Sequence, residues 1–312
     1  MGKQVFIGVD LGGTAIKYGV CDEKGTILIE KKRPTSAQAA ANEILEDIAT
    51  GINELLKESR EMGTKVKGIG MGTPGSVDVV QGFLQGSTPN FRYWRNVPIR
   101  AFLEDRFHLP VFVDNDANAM AYGEFLFGSG KGYRHIIAIT LGTGIGGGVI
   151  INGEMFRGHR YVGAEVGHMS IAYDGKKCRC GGIGCWELYA SASAMVSHYN
   201  QLNPAVPVSG SREIFERYAQ KDTAAVTVVR QEIEMVAAGI ASLLHIFNPE
   251  VLIIGGGVSE AGDWFVEQIQ AKLKERTMPE ALHNFRLVRA KLGNQAGWLG
   301  AAALVKQYVA KH

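Results

Sequence analysis

The chain has 312 residues, 46% hydrophobic and 21% charged, which is enough for two domains of ordinary size or one large one, with a sizeable core. A formal net charge of +2 is too small to argue for nucleic acid or a membrane surface, and neither is expected as a partner. No apolar run approaches a membrane span and the N-terminus lacks a signal-peptide stretch. Clustered thiols without disulfide-like spacing point to the cytoplasm.

Val5 to Val9 reads as a strand, Asp10 to Thr14 as a glycine turn, and Ile16 to Val20 as the returning strand of a β-hairpin. Gly12 and Gly13 let backbone N–H groups approach a phosphate, and Asp10 is placed to hold Mg²⁺ through water. Thr14 and Lys17 favour that reading over a plain turn. Thr26 to Lys31 is a third strand, and Gln38 to Glu58 an amphipathic helix. Val66 to Met71 resumes the sheet and runs into a rigid loop, Gly72 to Asp78, usable as a ligand wall or as an ordinary turn.

The loop Ser87 to Trp94 carries Asn90, which can donate and accept hydrogen bonds to hydroxyls; its aromatics suit a core or a lid. A helix, Ile99 to Phe107, and a strand, Val111 to Val113, lead into Asp114, Asn115, Asp116 and a helix to Phe127. A carboxylate between a strand's C-terminal end and a helix N-terminus sits where open α/β sheets bind ligands, which makes Asp116 a candidate general base. One of these three residues is also expected to cap the helix.

Ile136 to Leu141, the glycine run Gly142 to Gly148, and Val149 to Ile151 repeat the opening hairpin about 130 residues later, which suggests a duplicated domain pair. Gly142, Gly144 and Gly147 fit a dinucleotide fingerprint, but strand rather than helix follows, so a phosphate-binding hairpin fits better. Helices are expected over Ala190 to Tyr199, Ser211 to Ala219, Ala224 to Phe247, Ser259 to Arg276 and Ala296 to Lys311, the last returning to the first domain. The strand Val251 to Ile254 runs into Gly255, Gly256 and Gly257, which suit either a flat ligand such as adenine or tight packing. Hinges are expected near Asn118 and Gly293.

The stretch Gly167 to Glu187 holds three of the four cysteines, Cys178, Cys180 and Cys185, with His168 ten residues ahead of the first. Three thiolates and one imidazole make a closed tetrahedral zinc site with no position for a reacting water, so the metal is structural. Fixing those ligands also fixes Glu165 and Glu187. The two carboxylates suit a polyhydroxyl ligand, and a ligated His168 keeps its second ring nitrogen for a substrate hydroxyl. The alternative is a zinc knuckle that only staples a loop. Cys21, the remaining thiol, reads as structural.

With DLGGT, GTPGSVD, NDANA, LGTGIGGG, GAEVGH, CRCGGIGCWE and IIGGGVSEAG in this order, the chain resembles the ROK family of sugar kinases, and within it the glucokinases, from Val5 to the C-terminus. The resemblance implies an α/β fold of the actin and hexokinase type, two duplicated ribonuclease H-like domains closing over a cleft, usually as a homodimer. The expected domains are residues 1–118 plus about 294–312, and 119–293. It further implies ATP-dependent phosphorylation of a hexose, glucose first, with Mg²⁺ and a structural Zn²⁺. Fructose, mannose or an N-acetylhexosamine are the alternatives within that chemistry; a sugar-responsive repressor or a zinc-ribbon module lies outside it.

Carried over residue by residue, the resemblance makes Asp116 the base and assigns sugar contacts to Gly75, Asn90, Asn115, Glu165, His168 and Glu187. The zinc ligands fall on His168, Cys178, Cys180 and Cys185. ATP phosphate loops fall on Gly12, Gly13, Thr14 and on Thr143, Gly144, and an adenosine contact on Gly255 to Gly257. The loop after Asn90 reads FRYWRN, where these glucokinases commonly have a shorter Leu-Pro-Gly-Trp pattern.

Overall fold

The structure, a computed structural model, describes residues 3–86 and 90–311. Ser87, Thr88 and Pro89, the first part of the loop expected before Asn90, lie outside the described residues. The chain divides into two units: Met1–Gly132 with Met155–Gly163 and Leu292–His312, and Tyr133–Glu154 with Ala164–Lys291.

The first unit opens with β1 (Gln4–Leu11), β2 (Ala15–Asp22) and β3 (Ile27–Pro34), an antiparallel meander, followed by α1 (Ala41–Glu61). Next come β4 (Lys65–Thr73), the two-residue strands β5 (Val77–Asp78) and β6 (Phe83–Leu84), α2 (Ile99–Phe107), β7 (Val111–Asn115) and α3 (Asp116–Phe127). The sheet runs in the order β3-β2-β1-β4-β7, with β4 parallel to both β1 and β7. Val5, Ile7 and Val9 on one face of β1 and Phe6 on the other are all buried, so both faces are covered, which explains why that strand is a continuous apolar run rather than an alternating one.

The second unit repeats the plan. Its elements are β8 (Ile136–Leu141), β9 (Ile145–Ile151), β10 (Glu154–Phe156, of which Met155 and Phe156 are assigned to the first unit), α4 (Ala192–Leu202), α5 (Ser211–Ala219), α6 (Thr223–Phe247) and β11 (Val251–Gly255). After these come α7 (Asp263–Arg276), α8 (Pro279–Leu282) and β12 (Arg286–Arg289). The order β10-β9-β8-β11-β12 matches the first sheet position for position, an antiparallel hairpin followed by parallel strands. Such a pair of matched sheets is the duplicated α/β arrangement expected from the sequence.

The C-terminal helix α9 (Ala296–Lys311) belongs to the first unit and lies across β1, β4 and α3. Glycines in the strands make that contact possible. A Cβ at Gly8 would stand 1.8 Å from the Trp298 carbonyl oxygen, and one at Gly70 1.8 Å from that of Ala301, so helix and sheet meet backbone to backbone.

Three expectations are corrected. The second glycine turn is short: β9 begins at Ile145, so Gly146 to Gly148 are strand residues and the turn is Gly142 to Gly144. The helix expected to open at Ser259 is two elements, a 3-10 turn at Gly257–Ala261 and α7 from Asp263, separated by Gly262 at φ 116°, which a continuous helix does not accommodate. The division expected at Asn118 would cut α3, whereas that helix packs on α9 and stays whole in the first unit. Among the described residues no helix is long and apolar enough to cross a membrane.

Candidate active site

The end of β7 sorts the three polar residues Asp114, Asn115 and Asp116 by role. Asn115 is the N-cap of α3: its Oδ1 accepts from the N–H of Ala117 at 2.9 Å and of Asn118 at 3.3 Å. Asp114 is 1% exposed, and its Oδ2 accepts from Arg157 Nε at 2.9 Å and Nη2 at 2.6 Å. Its Oδ1 accepts from the Asn115 N–H at 2.8 Å and Asn118 Nδ2 at 3.0 Å, so this acid is a structural anchor. Asp116, the first residue of α3, is half-buried, and its Oδ1 accepts from the Ala117 N–H at 2.9 Å. Asn115 Nδ2 donates to the Gly75 carbonyl at 3.2 Å, which brings two of the expected sugar residues together.

Nearby in the same unit, the Gln38 side chain donates to the Asn90 carbonyl at 3.1 Å. Phe91 and Trp94 are core residues, Trp94 with its indole N–H donating to Thr73 Oγ1 at 2.8 Å, while Tyr93 is half exposed. The aromatics of this loop therefore divide between core and surface.

The β1–β2 turn is closed by the Gly12 N–H donating to the Ala15 carbonyl at 3.0 Å and by Thr35 Oγ1 donating to the Gly12 carbonyl at 2.8 Å. Gly13 and Thr14 are exposed at its tip. Asp10 is drawn in beneath it, 3.5 Å from Lys17 Nζ, which also donates to Asn294 Oδ1 at 3.2 Å. Burial pushes the Asp10 pKa up, and the Lys17 ammonium opposes that shift.

In the second unit the β8–β9 turn is closed by the Gly142 N–H donating to the Gly144 carbonyl at 3.0 Å, and Thr143 is exposed at its tip. A Cβ on Gly144 would stand 2.5 Å from Glu187 Oε2, so a side chain there would displace that carboxylate. The Gly255 to Gly257 segment also divides. Gly256, at φ 83°, would put a Cβ 2.5 Å from the Leu141 carbonyl oxygen, whereas Gly257 has nothing within 4 Å on that side. Packing requires the first glycine, and Gly257 presents an open face.

The expected metal ligands converge. His168, Cys178, Cys180 and Cys185 bring their ligand atoms within 4.8 Å of one another, with Cys180 Sγ to Cys185 Sγ at 3.6 Å and Cys178 Sγ to His168 Nδ1 at 3.8 Å. Four ligands about 2.3 Å from a tetrahedral zinc stand about 3.8 Å apart, so the donor set and its spacing fit that ion. The knuckle is built locally: Cys178 N–H donates to the Gly182 carbonyl at 2.8 Å, and Gly181 and Gly184 take φ of 96° and 73°. Trp186 roots it in the core, fully buried, with its indole N–H donating to the Met235 carbonyl at 2.8 Å and its ring against Gly239.

The two acids flank this corner on 3-10 turns. Glu165 precedes Val166–His168, and Glu187 lies within Trp186–Leu188. Glu187 Oε1 is 3.5 Å from His168 Nδ1 and from Cys178 Sγ. Its carboxylate therefore spans from the metal corner to the second glycine turn. Burial raises the Glu165 pKa, His168 lowers it and Glu187 raises it further.

Sequence reasoning missed Arg157. Its partner Asp114 lies 43 positions away, and no local pattern announces a pairing across that interval.

Comparison with known proteins adds an independent line. The ROK family pattern matches residues 6–308. The glucokinase of Thermotoga maritima is 37% identical over 99% of each chain. A crystal structure of a ROK family glucokinase from Streptomyces griseus in complex with glucose and AMPPNP superposes with a TM-score of 0.83, at 36% identity over 97% of this chain and 99% of that one. The xylose repressor of Bacillus spizizenii is 31% identical over 97% of this chain and 77% of its own length.

Proposed function

The chain belongs to the ROK family, and from that premise we propose that it is an ATP-dependent hexokinase that converts glucose to glucose 6-phosphate. The observation that supports this reading is the placement of the acids at the end of β7: Asp114 is buried and tied to Arg157 and Asn115 caps α3, whereas Asp116 stands half-buried at the first position of that helix.

Phosphoryl transfer asks for positioning and charge stabilisation rather than covalent help from the protein. Asp116 takes the proton of the sugar's primary hydroxyl as that oxygen bonds to the γ-phosphorus and the bond to ADP breaks. Asn90 and Asn115 hydrogen-bond the sugar's other hydroxyls, with the Gly75 backbone beside them. Glu165, Glu187 and the second ring nitrogen of His168 bind hydroxyls from the zinc corner, and His168, Cys178, Cys180 and Cys185 hold the ion. Backbone N–H groups of Gly12, Gly13, Thr14, Thr143 and Gly144 receive the ATP phosphates, and Gly257 offers its open face to the adenosine. Mg²⁺ would supply countercharge for the phosphates, and Asp10, with Lys17 beside it beneath the first turn, would hold that ion through water.

Likeness to a repressor means that sugar binding alone does not separate the readings; turnover does. ADP release measured with glucose, fructose, mannose, N-acetylmannosamine and N-acetylglucosamine should be fastest with glucose. A larger kcat/KM for one of the others would move the assignment within sugar kinases. No ADP release with any of them would remove the enzyme reading.

A further inference from the structure

Behind the zinc knuckle, where its loop meets α4 and α6, lies a cavity of about 80 Å³ lined by Lys176, Tyr189, His198, Gln201, Gln231 and Glu232. Glu232 is 2% exposed, and its Oε1 has no hydrogen-bond partner among the described residues. A buried carboxyl oxygen without a partner in the middle of a 25-residue helix is costly, and none of the groups assigned above to sugar or ATP uses it. We propose that this cavity binds one small oxyanion, a carboxylate or inorganic phosphate, against the Lys176 ammonium and the hydrogen-bond donors of His198, Gln201, Gln231 and Glu232.

The charge balance of the lining favours an anion. Lys176 is held at the mouth: its N–H donates to Tyr189 Oη at 2.7 Å, and its Nζ stands 5.3 Å from the centre of the Tyr189 ring. Burial and then the Lys176 charge push the His198 pKa down, so at neutral pH the imidazole is uncharged and offers one N–H. Burial alone pushes the Glu232 pKa well up, which favours the protonated carboxyl with its O–H donor. Gln201 spends one amide hydrogen on Ser197 Oγ at 3.3 Å and keeps the other. One positive charge and four hydrogen-bonding side chains around a small polar volume match a ligand of a few heavy atoms that carries negative charge on oxygen. Leu188 and Tyr189, which wall the cavity, continue the turn that carries Glu187.

The test is calorimetric titration of the full chain at pH 7 with sodium acetate and, separately, sodium phosphate, at constant ionic strength set by sodium chloride. One of the two should bind saturably at one site per chain; which one does so tells a carboxylate ligand from a phosphate. Lys176→Gln, at an exposed position, should weaken that binding about tenfold or more, and His198→Phe should abolish it by filling the volume. Glu232→Gln, which keeps a donor, should bind within about threefold of the parent chain. Neither Lys176 nor His198 lies at the glycine turns, so anion binding that survives both substitutions belongs elsewhere and overturns the proposal. Absence of saturable binding by both anions overturns it too. So would stabilisation by potassium or ammonium chloride relative to choline chloride that is lost in Glu232→Gln, because Glu232 would then be an ionised cation ligand.

Discussion

Replacing Arg157 by Met should be among the most damaging single changes outside the proposed chemistry. The Asp114 carboxylate is 1% exposed and holds four hydrogen bonds, two from Arg157 at 2.6 and 2.9 Å and two from Asn115 and Asn118 at 2.8 and 3.0 Å. Arg157→Met removes half of them and the only guanidinium among them, and the Met side chain cannot repay either. Stranding a buried charge in this way costs about 3–5 kcal/mol. Urea unfolding followed by tryptophan fluorescence is a direct assay, because Trp94 and Trp298 are fully buried in the same unit. The double variant Asp114→Asn, Arg157→Met should recover about half of the loss, since a neutral amide needs no counterion. A cost below about 1 kcal/mol for the single variant, or a double variant that loses the sum of the two singles, would refute the reasoning.

Three further expectations follow from the second unit. Cys180→Ser should lower bound zinc and raise the sugar KM about tenfold or more while changing that for ATP little; equal effects on both would contradict the zinc corner's role as a frame for Glu165, His168 and Glu187. Gly144→Ala pushes on Glu187 Oε2 from 2.5 Å and should raise the sugar KM with a small effect on melting temperature; an unchanged sugar KM would show that the carboxylate moves without consequence. Glu232 has a folded pKa raised above its ordinary 4.5, so the native state holds a proton that the unfolded state releases, and stability falls as pH rises above 4.5 toward that raised value. The slope is about 1.4 kcal/mol per pH unit for one such group. It should flatten in Glu232→Gln, and identical pH profiles of unfolding for the two chains would contradict the burial argument.

Much of the fold was legible because its signals are local. α2, α5 and α9 run between the residues that apolar periodicity and flanking polar residues mark out, and both hairpins are announced by strand, glycine turn and strand. What escaped was short or polar: β5 and β6 are two residues each, β10 is three, and β12 reads Arg-Leu-Val-Arg, with too few apolar positions for a period. The second turn was overestimated because glycines look like turn residues. Gly147 is a strand residue for a packing reason, a Cβ there meeting Val166 at 2.4 Å. At the site, the ligand cluster was readable because His168 and the three cysteines lie within one short stretch. By contrast, the roles of Asp114 and Asn115 are set by Arg157 and by cap geometry, neither of which a linear pattern encodes.

The central claim is that Asp116 is the base for phosphoryl transfer to a hexose. The measurement that bears on it most directly is kcat for Asp116→Asn with glucose and ATP, taken beside the glucose Kd of the same variant. The account predicts a glucose Kd within about threefold of the parent chain and a kcat lower by about 10²–10⁴. Turnover within a few-fold of the parent chain would contradict it.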